Sequence, residues 1–147
     1  MNYTSIEDSQ ALLKAGLENT TADMMYWIDR EDCRIPWEEA AKDSNNVSVW
    51  VRPFGGGRLS GYGLSCWSAG RLMDMLPAEI PYTDEDGENQ TAGLDITKFV
   101  DAPFFHNQYR IGYGDFYESY FEGTLVECCV DLIIWLLEHK HYLSAYE

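Results

Sequence analysis

Gly123-Thr124-Leu125-Val126-Glu127-Cys128-Cys129-Val130-Asp131-Leu132-Ile133-Ile134-Trp135-Leu136-Leu137-Glu138-His139-Lys140 is the stretch whose reading decides the fold. Thr124, followed three residues later by Glu127, makes a capping box in which each side chain takes up a backbone N–H at the start of a helix. Lys140, flanked by His139 and His141, places positive charge where the C-terminal end of the helix dipole favours it. Leu125, Cys129, Leu132, Ile133 and Leu136 form one face, and Val126, Val130 and Leu137 widen it. Glu127, Asp131 and Glu138 mark only a narrow polar stripe. This helix therefore requires burial over most of its girth, and the remaining chain has to supply the cover.

With 147 residues, 46% hydrophobic and 14% aromatic, the chain has enough apolar material for one core and too little length for two independent ones. A single domain over residues 1–147 is the expectation. The net charge of −15 excludes a general affinity for nucleic-acid phosphate or an anionic membrane surface, both of which need clustered Lys and Arg. Solubility and mimicry of a nucleic acid are the two readings left for that charge. The longest uncharged apolar run, Leu132 to Leu137, is far too short to span a bilayer, and the sequence opens on no charged-then-apolar leader. A cytoplasmic protein follows as an expectation.

Cys33, Cys66, Cys128 and Cys129 lack metal-ligand spacing. Adjacent helical residues diverge, so a Cys128–Cys129 bridge is disfavoured, and reduced, mostly buried thiols are expected. Neither a metal nor a cofactor is implied.

From the N-terminus, Thr4 or Ser5 caps a helix to about Ala15, with Glu7 and Asp8 in its first turn and Gly16 stopping it. Ile6, Leu13 and Leu17 are its apolar side. Met24 to Ile28 reads as a strand after the turn chemistry of Asn19 to Asp23, and Val47 to Arg52 as a half-buried strand ended by Pro53. The two strands pair across an excursion in which Pro36 to Lys42 forms a short helix. Ser65 opens a helix over Cys66 to Leu76, stopped by Pro77. Asp84-Glu85-Asp86-Gly87-Glu88 lacks the glycine and terminal glutamate positions of a calcium loop and reads as a solvated acidic turn. Leu94 to Phe99 and Tyr109 to Tyr113 alternate as strands, with Tyr109, Ile111 and Tyr113 on one face. Gly114-Asp115 turns the latter into Phe116 to Phe121 as a hairpin, and Ala102 to His106 links the earlier strand to it. The expected fold is α+β: a single antiparallel sheet of about five strands, the long C-terminal helix packed on one face, and two shorter helices.

Phe54 to Gly63 is the most glycine-rich stretch and joins glycines to a cation. Its spacing matches neither phosphate-loop pattern, so a mobile loop that orders on binding is the simpler expectation. Arg58 beside Tyr62, with Gly56 and Gly57, is nevertheless where an anionic, stackable ligand would be held. Cys66, at the start of its expected helix, is the candidate for a thiol of lowered pKa, though no histidine is assigned to it as a base. His106, His139 and His141 complete the catalytic candidates. His139 and His141, two residues apart, are poorly spaced on a helix to share a metal. No residue is assigned a catalytic role.

Thr21-Ala22-Asp23-Met24, Cys66-Trp67-Ser68 with Leu72-Met73 and Leu76-Pro77, and Gly123-Thr124-Leu125 with Trp135-Leu136-Leu137-Glu138 resemble a group of small uncharacterised proteins found in phages and mobile elements of gut bacteria. The resemblance spans most of the chain and implies an accessory protein of a mobile element. Such a protein acts by binding a host component, which includes antagonism of host defence. A sponge for a small nucleotide-like ligand and a small enzyme using Cys66 or a histidine are the alternatives. The surplus apolar surface of the last helix, together with Tyr117 and Tyr120, further suggests a homodimer.

Overall fold

The computed structural model describes residues 2–28, 47–51, 63–99 and 108–141, which divide into two compact units, Met1–Arg71 and Leu72–Glu147. The short helix over 36–42, the loop over 54–62 with Arg58, Tyr62, Gly56 and Gly57, the 102–106 connection with His106, and Cys33 all lie outside the described residues.

In the first unit, α1 (Ile6–Ala15) starts at Ser5, whose side chain accepts the Asp8 N–H, and stops at Gly16 in the left-handed conformation with φ 107°. These are the expected cap and stop. Strands β1 (Met24–Ile28), β2 (Val47–Val51) and β3 (Gly63–Cys66) form an antiparallel sheet in the order β2-β1-β3. The β1–β2 pair is the expected one, with Tyr26 opposite Val49. Ile6 of α1 packs with Tyr26, Leu64 and Cys66 in a small core.

A hydrogen-bonded web ties this unit together. Buried Thr4 pairs its hydroxyl with Ser9 at 2.7 Å and accepts the Trp67 N–H at 3.1 Å, while the Tyr26 hydroxyl donates to its carbonyl. The Trp67 indole N–H donates to Thr21 Oγ1 at 3.0 Å, and Asp23 accepts from both the N–H and the hydroxyl of Ser68. Thr21-Ala22-Asp23-Met24 and Cys66-Trp67-Ser68, read from the sequence as separate motifs, are thus two halves of one contact. Ser68 in turn accepts the Arg71 N–H at 3.1 Å, so the helix α2 (Ala69–Met75) begins three residues later than its expected start at Cys66. Ser65 and Cys66 belong to β3.

In the second unit, β4 (Glu79–Thr83), β5 (Asn89–Phe99), β6 (Gln108–Tyr113) and β7 (Phe121–Gly123) are antiparallel in chain order. The expectation of one five-stranded sheet is therefore corrected to two antiparallel sheets. Two strands account for the difference. β3 was hidden by Gly63 and by Ser65 resembling a cap, and β4 by Pro81 and its acidic neighbours. The Leu94 N–H donates to the Ala78 carbonyl at 2.8 Å, which points the even residues of β4 at β5 and the Pro81 nitrogen away from it. On an edge strand a proline so oriented removes no ladder bond. The acidic turn between β4 and β5 is closed by Asp84 Oδ1, which accepts the N–H groups of Asp86 and Glu88 at 2.9 Å. Those bonds, chiefly the one from Glu88, hold the Asp84 carboxyl below the usual carboxylate range.

The helix α3 (Leu125–Glu138) packs against β6 and β7. Thr124 accepts the Glu127 N–H at 3.2 Å as the capping box requires, and Glu127 folds back over Gly123. At the other end Lys140, with φ 59°, and the bonds His141 N–H to Leu136 O and Lys140 N–H to Leu137 O close a Schellman turn. Val126, Cys128, Cys129, Val130, Leu132, Ile133, Trp135 and Leu136 are buried and Glu127, Asp131 and Glu138 exposed, as the periodicity demands. Most of the apolar surface invoked for self-association is thus buried within the chain, with Leu125, Ile134 and Leu137 half-buried. Among the described residues no helix is long and apolar enough to cross a membrane.

Ile133 has no exposed surface. Ile133→Asp would strand a carboxylate without water or partner, and it is expected to cost about 4 kcal/mol or more and abolish cooperative unfolding. A native melting temperature in calorimetry would contradict this register.

Candidate functional site

Gly112 in β6 faces Asp95 in β5 across the ladder, and the Tyr120 ring lies directly on it: a Cβ at Gly112 would come within 2.6 Å of two ring carbons. Because no side chain stands at 112, Tyr120 reaches over β6 and donates its hydroxyl to Asp95 Oδ2 at 3.0 Å. The Arg110 guanidinium lies 4.7 Å from the centroid of that ring, and its Nε is 4.0 Å from Glu122, its partner in β7. Burial, followed by the hydrogen bond to Asp95, raises the Tyr120 phenol above its ordinary pKa, with Arg110 opposing.

The turn after β6 is equally constrained. Asp115 is left-handed with φ 72°, and a 3-10 turn covers Tyr117–Ser119. Ser119 is fully buried and acts as a staple: its hydroxyl accepts the Tyr113 N–H at 2.8 Å and donates to Phe116 O at 2.7 Å. This closed turn replaces all but the last residue of the strand expected over Phe116 to Phe121, and β7 keeps only Phe121 of it before running on to Gly123. Asp115 accepts from the Tyr82 hydroxyl at 2.9 Å, which is the main cause of the raised Tyr82 pKa. Phe116 packs edge-on to Tyr82, with centroids 5.0 Å apart, and against Trp135 at 5.7 Å.

Together Asp95, Arg110, Asp115, Phe116, Tyr117 and Tyr120 line an open cleft of about 280 Å³. Tyr117 stands at 87% exposure on the stapled turn. Arg110 is the only cation among the lining residues, and it is already engaged by Tyr120 and Glu122. Both carboxylates face tyrosine hydroxyls rather than cations. The arrangement therefore favours a positively charged or aromatic group over an anion.

The residues singled out from the sequence fall elsewhere. Arg58, Tyr62, Gly56 and Gly57 are not among the described residues. Cys66 is in a strand, not at a helix N-terminus, and is fully buried; burial pushes its thiol up, while hydrogen bonds from Thr4 and Tyr26 oppose the shift. Cys128 and Cys129 are free thiols, pushed up to about 11 and about 12, in both cases chiefly by burial. His139 and His141 do share a neighbour, stacking on Trp135 at 4.4 and 5.7 Å. Helical spacing does not apply to them because α3 has ended and Lys140 turns left-handed. Burial, then His139, lowers the His141 pKa. Among the described residues no three His, Cys, Asp or Glu side chains group to hold a metal. The sequence signal that could have pointed to the cleft is Gly112, the one residue without a side chain in an otherwise bulky strand.

The chain matches no family model, no curated protein and no solved structure at a significant level.

Two outcomes follow from this geometry. Gly112→Ala is expected to displace Tyr120, cost about 1–3 kcal/mol from the steric clash, and return the Tyr120 phenol toward its ordinary value of 10.0. A ring-labelled NMR titration showing an unchanged, raised Tyr120 pKa would contradict it. In a Cys33→Ser background, native protein should resist iodoacetamide at neutral pH because every described thiol is buried and disfavours the thiolate. Fast alkylation of Cys66 would restore it as a nucleophile candidate.

Proposed function

We propose that this chain is a non-enzymatic accessory protein, of the phage or mobile-element kind its sequence resembles, that binds a host component. The cleft beside Tyr120 receives a cationic segment of that partner. The single observation that carries this reading is the make-up of the cleft. Asp95 and Asp115 supply negative charge, Phe116, Tyr117 and Tyr120 supply aromatic surface, and the one cation of the lining is already drawn to the Tyr120 ring and Glu122. Tyr offers contact area at small entropic cost, and a cation over its face gains about 0.5–1 kcal/mol at an exposed site. The net charge of −15 draws a basic partner toward the surface before any contact forms. A host defence protein with a lysine- or arginine-rich segment is a partner of this chemistry.

Calorimetry with an arginine- and lysine-rich peptide, a glutamate-substituted control peptide and a set of nucleotides tests the proposal. The basic peptide alone should bind, more weakly as salt is raised. Asp115→Asn combined with Tyr117→Ala should weaken it at least tenfold, about 1.4 kcal/mol, with the melting temperature nearly unchanged because Tyr117 is exposed. Nucleotide binding without peptide binding, or a double variant that binds as well as the parent, would overturn it.

A further inference from the structure

Among the described residues, the outer half of β5 has an open edge. The Gly93 carbonyl accepts the Gly114 N–H at 3.0 Å and the Leu94 N–H donates to the Ala78 carbonyl at 2.8 Å. Along β5, therefore, odd residues direct their backbone groups at β6 and even residues at β4. β4 pairs with β5 only through Gly93, while β6 pairs from Leu94 to Phe99. Beyond Leu94 the N–H and C=O groups of Ile96 and Lys98 therefore face an edge that no strand occupies among the described residues. Ile96 is also one of the few exposed large apolar side chains among the described residues, at 43%.

We propose that this edge pairs antiparallel with the same stretch of a second copy, about a two-fold axis at Thr97. That register follows from the open groups. Ile96 stands opposite the partner's Lys98 and exchanges both backbone bonds with it, and Lys98 does the same with the partner's Ile96. Every open group on both strands is satisfied, and no odd residue is asked to leave β6. Thr97 meets the partner's Thr97 as a non-hydrogen-bonded pair, a cross-strand combination that stabilises sheets. The fit also ends where it must. The partner's Phe99 falls opposite Asp95, and the next position along the edge is taken by Ala78.

A lysine on an edge strand usually blunts pairing. Here the Lys98 ammonium lies 5.8 Å from the centroid of the Tyr109 ring, its partner in β6, and so is drawn back over the sheet, away from the open edge. Leu94 to Phe99 carries one acid and one base, so two copies meet at a neutral stretch although each is strongly acidic. The pairing goes beyond the binding role of the cleft, and its failure leaves that role untouched. It does, however, set the partner's Phe99 beside Asp95, at the wall of the cleft.

Sedimentation of the intact chain at physiological salt over a wide concentration range should show a monomer–dimer equilibrium. Lys98→Pro removes a donor from the open edge and none from the β6 ladder, so it should sediment as a monomer with its circular dichroism unchanged. Independently, Thr97→Cys should oxidise to a disulfide-linked dimer, because a non-hydrogen-bonded pair brings Cα atoms to about 4.5 Å, within disulfide range. The Cys33→Ser protein, whose remaining thiols are buried, is the background for this variant and should not cross-link by itself. A parent that is monomeric throughout, a Lys98→Pro protein that still dimerises, or a dimer whose Thr97→Cys form stays unlinked would overturn the proposal.

Discussion

The second unit depends on a contact between a ring and a backbone: Tyr120 lying on Gly112 with no room for a single methyl group between them. Interiors are packed closely enough that one added carbon is felt, and here it would fall on the atoms that join three strands. Gly112 is in β6, its cross-strand neighbour Asp95 is in β5, and Tyr120 immediately precedes β7. The ring therefore crosses the middle strand and fastens the outer two through its hydroxyl, while Arg110 of the middle strand lies against its face. The stapled turn at Ser119 serves the same end, because it fixes where Tyr120 leaves the turn and where Tyr117 is left standing in solvent.

Electrostatics then decide what that geometry is good for. A free guanidinium in an open cleft would suit an anion, as Arg58 and Tyr62 suggested for the glycine loop. Arg110 is not free: the Tyr120 face and Glu122 hold it, while among the described residues Asp95 and Asp115 are met by phenolic hydroxyls. Neighbouring hydroxyls orient a carboxylate without cancelling its charge. In a chain with 25 acidic and 10 basic residues, the local and overall fields then have the same sign. Electrostatic steering and contact would both select a cation.

How much of this was legible in the sequence depends on the range over which each feature is determined. The last helix, its Thr124 cap, the Ser5 cap and Gly16 stop of α1, and the β1–β2 pair were readable because caps, periodicity and alternation are local. β4 was not, since Pro81 acts as a breaker unless one knows that its nitrogen faces away from β5. The aromatic run from Phe116 to Phe121 has the composition of a strand. What forces it into a tight turn is the Ser119 hydroxyl bonding back to Tyr113, a choice that alternation does not encode. The cleft was least visible, because Asp95, Arg110 and Tyr120 become neighbours only through the β5–β6–β7 register. Cys66 is the instructive misplacement. Ser65 and Ser68 are both acceptable caps, and only the bonds between Asp23 and Ser68 select the second and leave the thiol in a strand core.

We propose that the Gly112–Tyr120 contact builds a cleft for a cationic partner segment. Two-dimensional NMR of the isotope-labelled protein, titrated with a short arginine- and lysine-rich peptide, tests it most directly. The resonances of Arg110, Asp115, Tyr117 and Tyr120 are expected to move first and saturate together, while those of Thr4, Trp67 and Ile133 stay in place. Shifts confined to residues outside the cleft, or none at saturating peptide, would contradict it.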